Sequence, residues 1–235
     1  MLFRSGREKE MEILPAAKPK KIVVVGGGPA GMNAAWVAAM RGHHVLLFER
    51  GPGLGGQLTA AAGAIRHKRG IQKLVAFHKR QIQRYQVDCR LNRAGTLEQI
   101  RAESPDAVVL ATGSLPLIPA VPGAEGSNVI TFRQALDGFK PTRGPVAVIG
   151  GGATGCEIAL YLAERDIPVT LIEAMPKLAG DLEAMTRKIL VRKLKERGVR
   201  LLTETRLISV EDDSVRVADK EGKESILPAM PAVLA

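Results

Sequence analysis

Glu49 and Glu173 each stand 18 positions beyond the last glycine of a G-x-G-x-x-G run, Gly26-x-Gly28-x-x-Gly31 and Gly150-x-Gly152-x-x-Gly155. Those residue types at that spacing serve dinucleotide binding. Gly26 and Gly150 permit a tight turn, Gly28 and Gly152 let a pyrophosphate approach the backbone, and Gly31 and Gly155 let helix and strand pack closely. The helix that follows presents unpaired N–H groups and its positive dipole end to phosphate. A carboxylate ending the next strand accepts bonds from ribose hydroxyls. A surface glutamate at a strand end is the plain alternative, and its recurrence at one spacing argues against it. Ala174, Met175 and Pro176 follow Glu173 with no arginine to hold a 2′-phosphate, so NADH is expected over NADPH.

The elements that must position these groups are repeated. VVVGGGPAGMNAA…RGHHVLLFERGPGLGG begins at Val23 and recurs as AVIGGGATGCEIA…RDIPVTLIEAMPKLAG from Ala147. A single offset of 124 links Gly26 with Gly150, Val45 with Val169, Glu49 with Glu173, Leu54 with Leu178 and Gly56 with Gly180. Two copies of one unit follow from this. In the first, Lys21–Val25 reads as a buried strand whose β-branched run, Ile22–Val25, is of the kind parallel sheets use. A helix over Gly31–Met40 and a strand over His44–Phe48 come after it. In the second, the strand is Val146–Ile149, the helix spans about 155–164, and the next strand is Val169–Ile172. Strand, crossover helix and parallel strand make a βαβ unit.

Beyond each copy the segments correspond again. Ile71, Leu74, Val75, His78 and Ile82 fall on one helical face, as do Leu182, Met185, Ile189, Leu190 and Leu194, with Gly198 placed as a C-cap. Val87, Cys89 and Leu91 alternate as a strand, and VRVADKEGKESIL reads as a hairpin turning at Glu221-Gly222. Asp106-AVVLATG-Ser114 reads as a buried strand entering a glycine turn. Ala111 plus the same offset is Ala235, and AVLA there mimics VVLA, so the chain is expected to stop inside a motif.

Composition narrows the classes. With 235 residues, 46% hydrophobic and 25% charged, the chain reads as a soluble globular protein, and 3% aromatics imply an aliphatic core. Two cysteines, Cys89 and Cys156, cannot form a disulfide framework, a four-cysteine zinc site, an iron–sulfur cluster or a C-x-x-C dithiol. Cys156 lies one residue into the second phosphate-binding helix, where a dipole lowers a thiol pKa, yet packing is the favoured role. His43, His44, His67 and His78 are too scattered for a metal site, and loop or helix surface is their default place. The net charge of +10 permits anionic partners, but nucleic acid is not expected, because no aromatic residues cluster with a basic run. Residues 22–40 carry no charge, yet their glycines, Pro29 and Asn33 exclude a spanning helix or signal peptide, so a cytoplasmic protein with no membrane partner is expected.

At GREKEME (Gly6–Glu12), VVVGGGPAGM, RGHHVLLFER, LGGQL (Leu54–Leu58), VVLATGS and IGGGATGCE the chain resembles the two-dinucleotide flavoprotein superfamily. Within it, the likeness is to the C-terminal half of 2,4-dienoyl-CoA reductase-type, Old-Yellow-Enzyme-like NADH:flavin oxidoreductases. The resemblance implies an α/β fold of two Rossmann-like units, the first for FAD and the second for NAD(H). It places FAD pyrophosphate at Gly26, Gly28, Pro29, Ala30 and Gly31, and the adenosine ribose at Glu49 and Arg50. Gly56, Gln57 and Leu58 would lie along the flavin, Val87 against the adenine, and Ala111, Thr112 and Gly113 would close the site. Lys68 would reach FAD phosphate. NADH would use Gly150, Gly152, Ala153, Thr154, Gly155 and Glu173.

No side chain is required as an acid or base, because hydride transfer belongs to the cofactors. The resemblance implies electron delivery to an FMN and [4Fe–4S] centre in a domain or subunit upstream, for enoate or dienoyl-CoA reduction. The expected organisation is a linker over 1–18, an FAD unit over 19–140 and an NAD(P) unit over 141–235, truncated at its C-terminal end. Two other functions fit the motifs. One is a glutamate-synthase-small-subunit-like electron-input module. The other is a non-catalytic adenine-nucleotide-binding domain.

Overall fold

The computed structural model describes Gly6, Glu10 and residues 12–64, 69–137, 144–228 and 231–235. The chain divides into two compact units, Met1–Ser114 and Leu115–Ala235.

In the first unit, β1 (Lys21–Val25), β2 (His44–Glu49), β3 (Asp88–Leu91) and β4 (Ala107–Leu110) form a parallel sheet ordered β3-β2-β1-β4. The helices are α1 (Pro29–Met40), α2 (Gln57–Ala64), α3 (Arg69–Arg84) and α4 (Leu97–Ala102). Branched and aliphatic side chains suit the central strands, where Val23, Val24 and Leu47 lose all solvent contact. Val25 pairs with Phe48 on one side and Leu110 on the other, so three strands end level. The sequence order reverses between β1 and β4, which makes a crevice at their carboxyl ends, the place where ligands bind in such sheets.

The second unit repeats the plan. Its elements are β5 (Val129–Thr131), α5 (Phe132–Leu136), β6 (Val146–Ile149), α6 (Ala153–Ala163), β7 (Val169–Ile172), α7 (Ala184–Glu196) and β8 (Arg200–Leu202). Then come β9 (Arg206–Val210), β10 (Ser214–Ala218), β11 (Glu224–Pro228) and β12 (Ala232–Leu234). The parallel sheet runs β5-β12-β6-β7-β8, beside an antiparallel sheet β11-β10-β9. Strand β12 flanks β6 as β4 flanks β1.

Several readings change. Residues 115–137 group with the second unit, not with 19–114, because β5 pairs with β12. The segment over Ala107–Leu110 is an edge strand rather than a buried one, with Leu110 75% exposed, since among the described residues β1 alone pairs with it. On α7 the buried residues are Leu190 and Leu194, while Met185 and Ile189 face outward. His78 is buried, and its Nδ1 accepts a 3.1 Å bond from Trp36 Nε1, which fixes that nitrogen as unprotonated. Burial lowers its pKa below the usual imidazole value. The expected hairpin is present, turning through Gly222 at φ +83°, and Gly198 follows α7 at φ +71° as a C-cap glycine does. Helices α4 and α5 are further elements, and both begin with a capping box, Thr96 with Gln99 and Thr131 with Gln134.

Candidate dinucleotide-binding sites

The first site grows from the turn after β1. Gly26 adopts φ +107°, and a side chain there would run into the carbonyl oxygen of Ala111. Gly31 is equally constrained, since a Cβ would strike the carbonyl oxygen of Gly26. Gly28 differs. Its φ is −71°, and an added Cβ would meet nothing within 4 Å. Neither conformation nor packing within the chain demands glycine there. The space over its backbone is open.

A helix end with no side-chain cap borders that space. No side chain caps α1, Pro29 has no N–H to satisfy, and the first turn contains no acid. The amides of Ala30 and Gly31 therefore face the opening with the positive end of the dipole, an anion-binding arrangement. Gly56, at φ +54°, closes over this turn, and its Cβ would lie 2.9 Å from Gly28 Cα. Gln57 and Leu58 begin α2, and Gln57 Nε2 donates to Ser114 O at 3.2 Å. The glycine turn at Ala111, Thr112 and Gly113 is thereby brought to the same end of the sheet.

Glu49 does more than the sequence indicates. Its Oε2 accepts from Gly27 N at 2.7 Å and its Oε1 from Gly51 N at 2.7 Å. The carboxylate clips the glycine turn to the turn after β2, and each oxygen keeps a second lone pair for a ribose hydroxyl. Arg50 stands exposed beside it.

The second site has the same construction. Gly150 sits at φ +102° against the carbonyl oxygen of Ala235, and Gly155 against that of Gly150. Glu173 accepts from Gly151 N and Met175 N, each at 2.6 Å. Gly152 again leaves room, with only Asp181 carboxylate oxygens 3.9 and 4.0 Å from an added Cβ. Ala153 and Thr154 open α6, and Asp181 Oδ1 accepts from Ala153 N at 2.9 Å. Arg206 lines a cavity of about 450 Å³ with Ala174 and Pro176, so a guanidinium does stand near the end of β7. Lys220 shares that wall, as do Glu204, Asp219 and Glu221.

Two sequence expectations are not brought to these sites. Val87 lies at the amino end of β3, 9% exposed and packed in the core with Val24, Met32 and Ile82. The glycine turn and Glu49 occupy carboxyl ends, so Val87 does not join them. The residues after β3 do: Asn92 N donates to Gly51 O and Arg93 N to Glu49 O. Lys68 lies outside the described residues.

Cys156 is fully buried, and its Sγ lies 3.3 Å from Gly151 O. Burial pushes its thiol up to about 12, outweighing what helix position could lower, and pushes Cys89 up to about 11. At pH 8 a thiol reagent is expected to label neither in the folded chain while labelling both in denaturant. Prompt labelling of Cys156 without denaturant would contradict this placement. Among the described residues no three or more His, Cys, Asp or Glu groups gather to hold a metal, and no helix is long and apolar enough to cross a membrane.

Both units are thus dinucleotide-binding folds, two copies of one glycine turn, helix and carboxylate clip. Residues 20–234 match the family model of the pyridine nucleotide-disulphide oxidoreductases, and the chain belongs to that family. It is 38% identical over 231 residues to the bilirubin reductase of Mediterraneibacter gnavus, covering 98% of this chain and 36% of that one. It is 40% identical over 230 residues to the NADH oxidase of Thermoanaerobacter brockii, covering 95% of this chain and 35% of that one. Among solved structures, a 2-naphthoyl-CoA reductase complex superposes with a TM-score of 0.91 at 30% identity, over 99% of this chain and 35% of that one. The chain spans about a third of the length of these relatives. The expected α/β dinucleotide-binding fold, oxidoreductase class and FAD–NAD(H) pair agree with this membership.

Proposed function

We propose that the first unit holds FAD, the second holds NADH, and the chain is the NADH-oxidising input of a larger flavoprotein reductase. The observation that carries this is the pair Gly28 and Gly152. Both are glycines at ordinary negative φ whose added Cβ meets open space or one exposed carboxylate, so a close-approaching ligand is what requires them. FAD supplies the acceptor for the two electrons and proton that leave the nicotinamide as hydride. The chain supplies binding and orientation. Ala30 and Gly31 amides take the FAD pyrophosphate, Glu49 takes the adenosine ribose, and Gln57 and Thr112 line the path toward the ring. In the second unit Thr154 and Gly155 amides take the NADH pyrophosphate and Glu173 its ribose.

NADH is favoured over NADPH because Glu173 opposes a 2′-phosphate and the neighbouring wall carries three carboxylates against Arg206 and Lys220. The electron acceptor is an FMN and iron–sulfur domain or subunit. The names of the relatives, two reductases and an NADH oxidase, support this assignment.

The test is the visible spectrum of the purified chain mixed with FAD and desalted, followed by anaerobic NADH. A bound-flavin spectrum that bleaches on NADH addition is the expected result. Retained flavin that stays oxidised would replace this reading with a non-catalytic adenine-nucleotide-binding domain. A chain that bleaches flavin and reduces glutamate synthase's large subunit would point to that system instead.

A further inference from the structure

The two sites are copies, yet a charge stands at the helix end of only one of them. The repeat offset places Gln57 against Asp181 and Pro29 against Ala153. In the first unit the helix opens with an imino acid that has no N–H, and the neighbouring amide side chain donates elsewhere, to Ser114 O. In the second unit the helix opens with a free N–H at Ala153, and Asp181 accepts it at 2.9 Å. The same carboxylate approaches the space over Gly152 that the glycine leaves open. A negative side chain therefore stands on the positive end of α6, where the dinucleotide's pyrophosphate would bind.

We propose that Asp181 is a built-in competitor for the NADH pyrophosphate, which weakens dinucleotide binding and hastens its departure from the second unit. The inference rests on the assignment of that unit to NADH. Asp181 is exposed, so its side chain can swing aside, but its charge stays near and opposes the incoming phosphates. Binding to the helix end must displace one anion by another. Among the described residues of the first unit no acidic side chain caps α1, which suits a flavin that stays bound through many turnovers. The second suits a coenzyme that must leave after each one.

The experiment is fluorescence titration of the whole chain with NADH, wild type against Asp181→Asn, with stopped-flow measurement of NADH release. Asparagine keeps an oxygen for the Ala153 N–H and removes only the charge, so the helix start is preserved; Asp181→Ala serves as the second variant. Asp181→Asn is expected to bind NADH about two- to fivefold more tightly, the range that an exposed helix-end charge commands. Most of the gain should appear as slower release, and it should shrink in 1 M salt, where the screening length falls to about 3 Å. FAD retention should not change. NADH binding by the wild type with equal or weaker binding by both variants overturns the inference and leaves the NADH assignment standing. No NADH binding by any of the three overturns both.

Discussion

Gly28→Ala is expected to leave the fold intact and abolish FAD retention, whereas Gly31→Ala should lose both. An added Cβ at Gly28 meets no protein atom within 4 Å, so the cost is that of a poorer N-cap, about 1 kcal/mol, and the thermal midpoint should fall by only about 4 °C. The methyl would instead occupy the space through which pyrophosphate reaches the Ala30 and Gly31 amides. At Gly31 the same methyl is driven into Gly26 O, and it lies 3.0 Å from Gly26 C and 3.2 Å from Ala111 Cβ. Backbone on that side cannot yield as a side-chain tip would. Overpacking of this kind costs about 3 kcal/mol or more, or roughly 10 °C or more for a domain of this size. Thermal melts and desalting with FAD read both quantities. Flavin retained by Gly28→Ala would show that the open space is not the ligand's, and the proposed function would lose its main support.

The second large effect separates the two carboxylates. Glu49→Ala should weaken FAD binding by about a hundredfold and leave NADH binding unchanged, while Glu173→Ala should do the reverse. Each glutamate satisfies two backbone N–H groups, Gly27 with Gly51 and Gly151 with Met175. Truncation therefore removes the ribose acceptor and also leaves those donors unpaired, at about 1–3 kcal/mol. Glu173→Ala should further raise the NADPH-to-NADH affinity ratio, since the carboxylate opposing a 2′-phosphate is gone. Equilibrium titrations with FAD, NADH and NADPH measure all three. Equal losses for both cofactors in either variant would mean that the two units do not bind them separately.

The two βαβ cores were legible because a repeat doubles every local signal. Strands over Lys21–Val25, Val146–Ile149 and Val169–Ile172 match the structure to the residue. Local patterns are silent about neighbours distant in the chain, and the differences arise there. Nothing in AVVL says that β4 is an edge strand. Nothing after Glu173 announces that β9 carries Arg206 to the same place, 33 positions later. Val87 was assigned by resemblance, although its position before β3 already opposed it, because ligand-binding residues follow strands in parallel sheets. Asn92 and Arg93, which follow β3, were readable by that rule. Asp181 was within reach too. Gly56 aligns with Gly180, and the next pair, Gln57 and Asp181, contains a charge difference. The double clip made by each glutamate was not readable, since a backbone amide leaves no mark in the sequence.

That clip has a thermodynamic side. The chain's own carboxylates tie Gly27 to Gly51 and Gly151 to Met175. Each phosphate-binding turn is therefore ordered when the domain folds, not when its ligand arrives. A dinucleotide entering such a turn immobilises little backbone, and less of its contact energy is consumed in fixing loop residues, each of which would otherwise cost about 1–2 kcal/mol. Association should consequently be a single fast phase, limited by encounter rather than by loop closure.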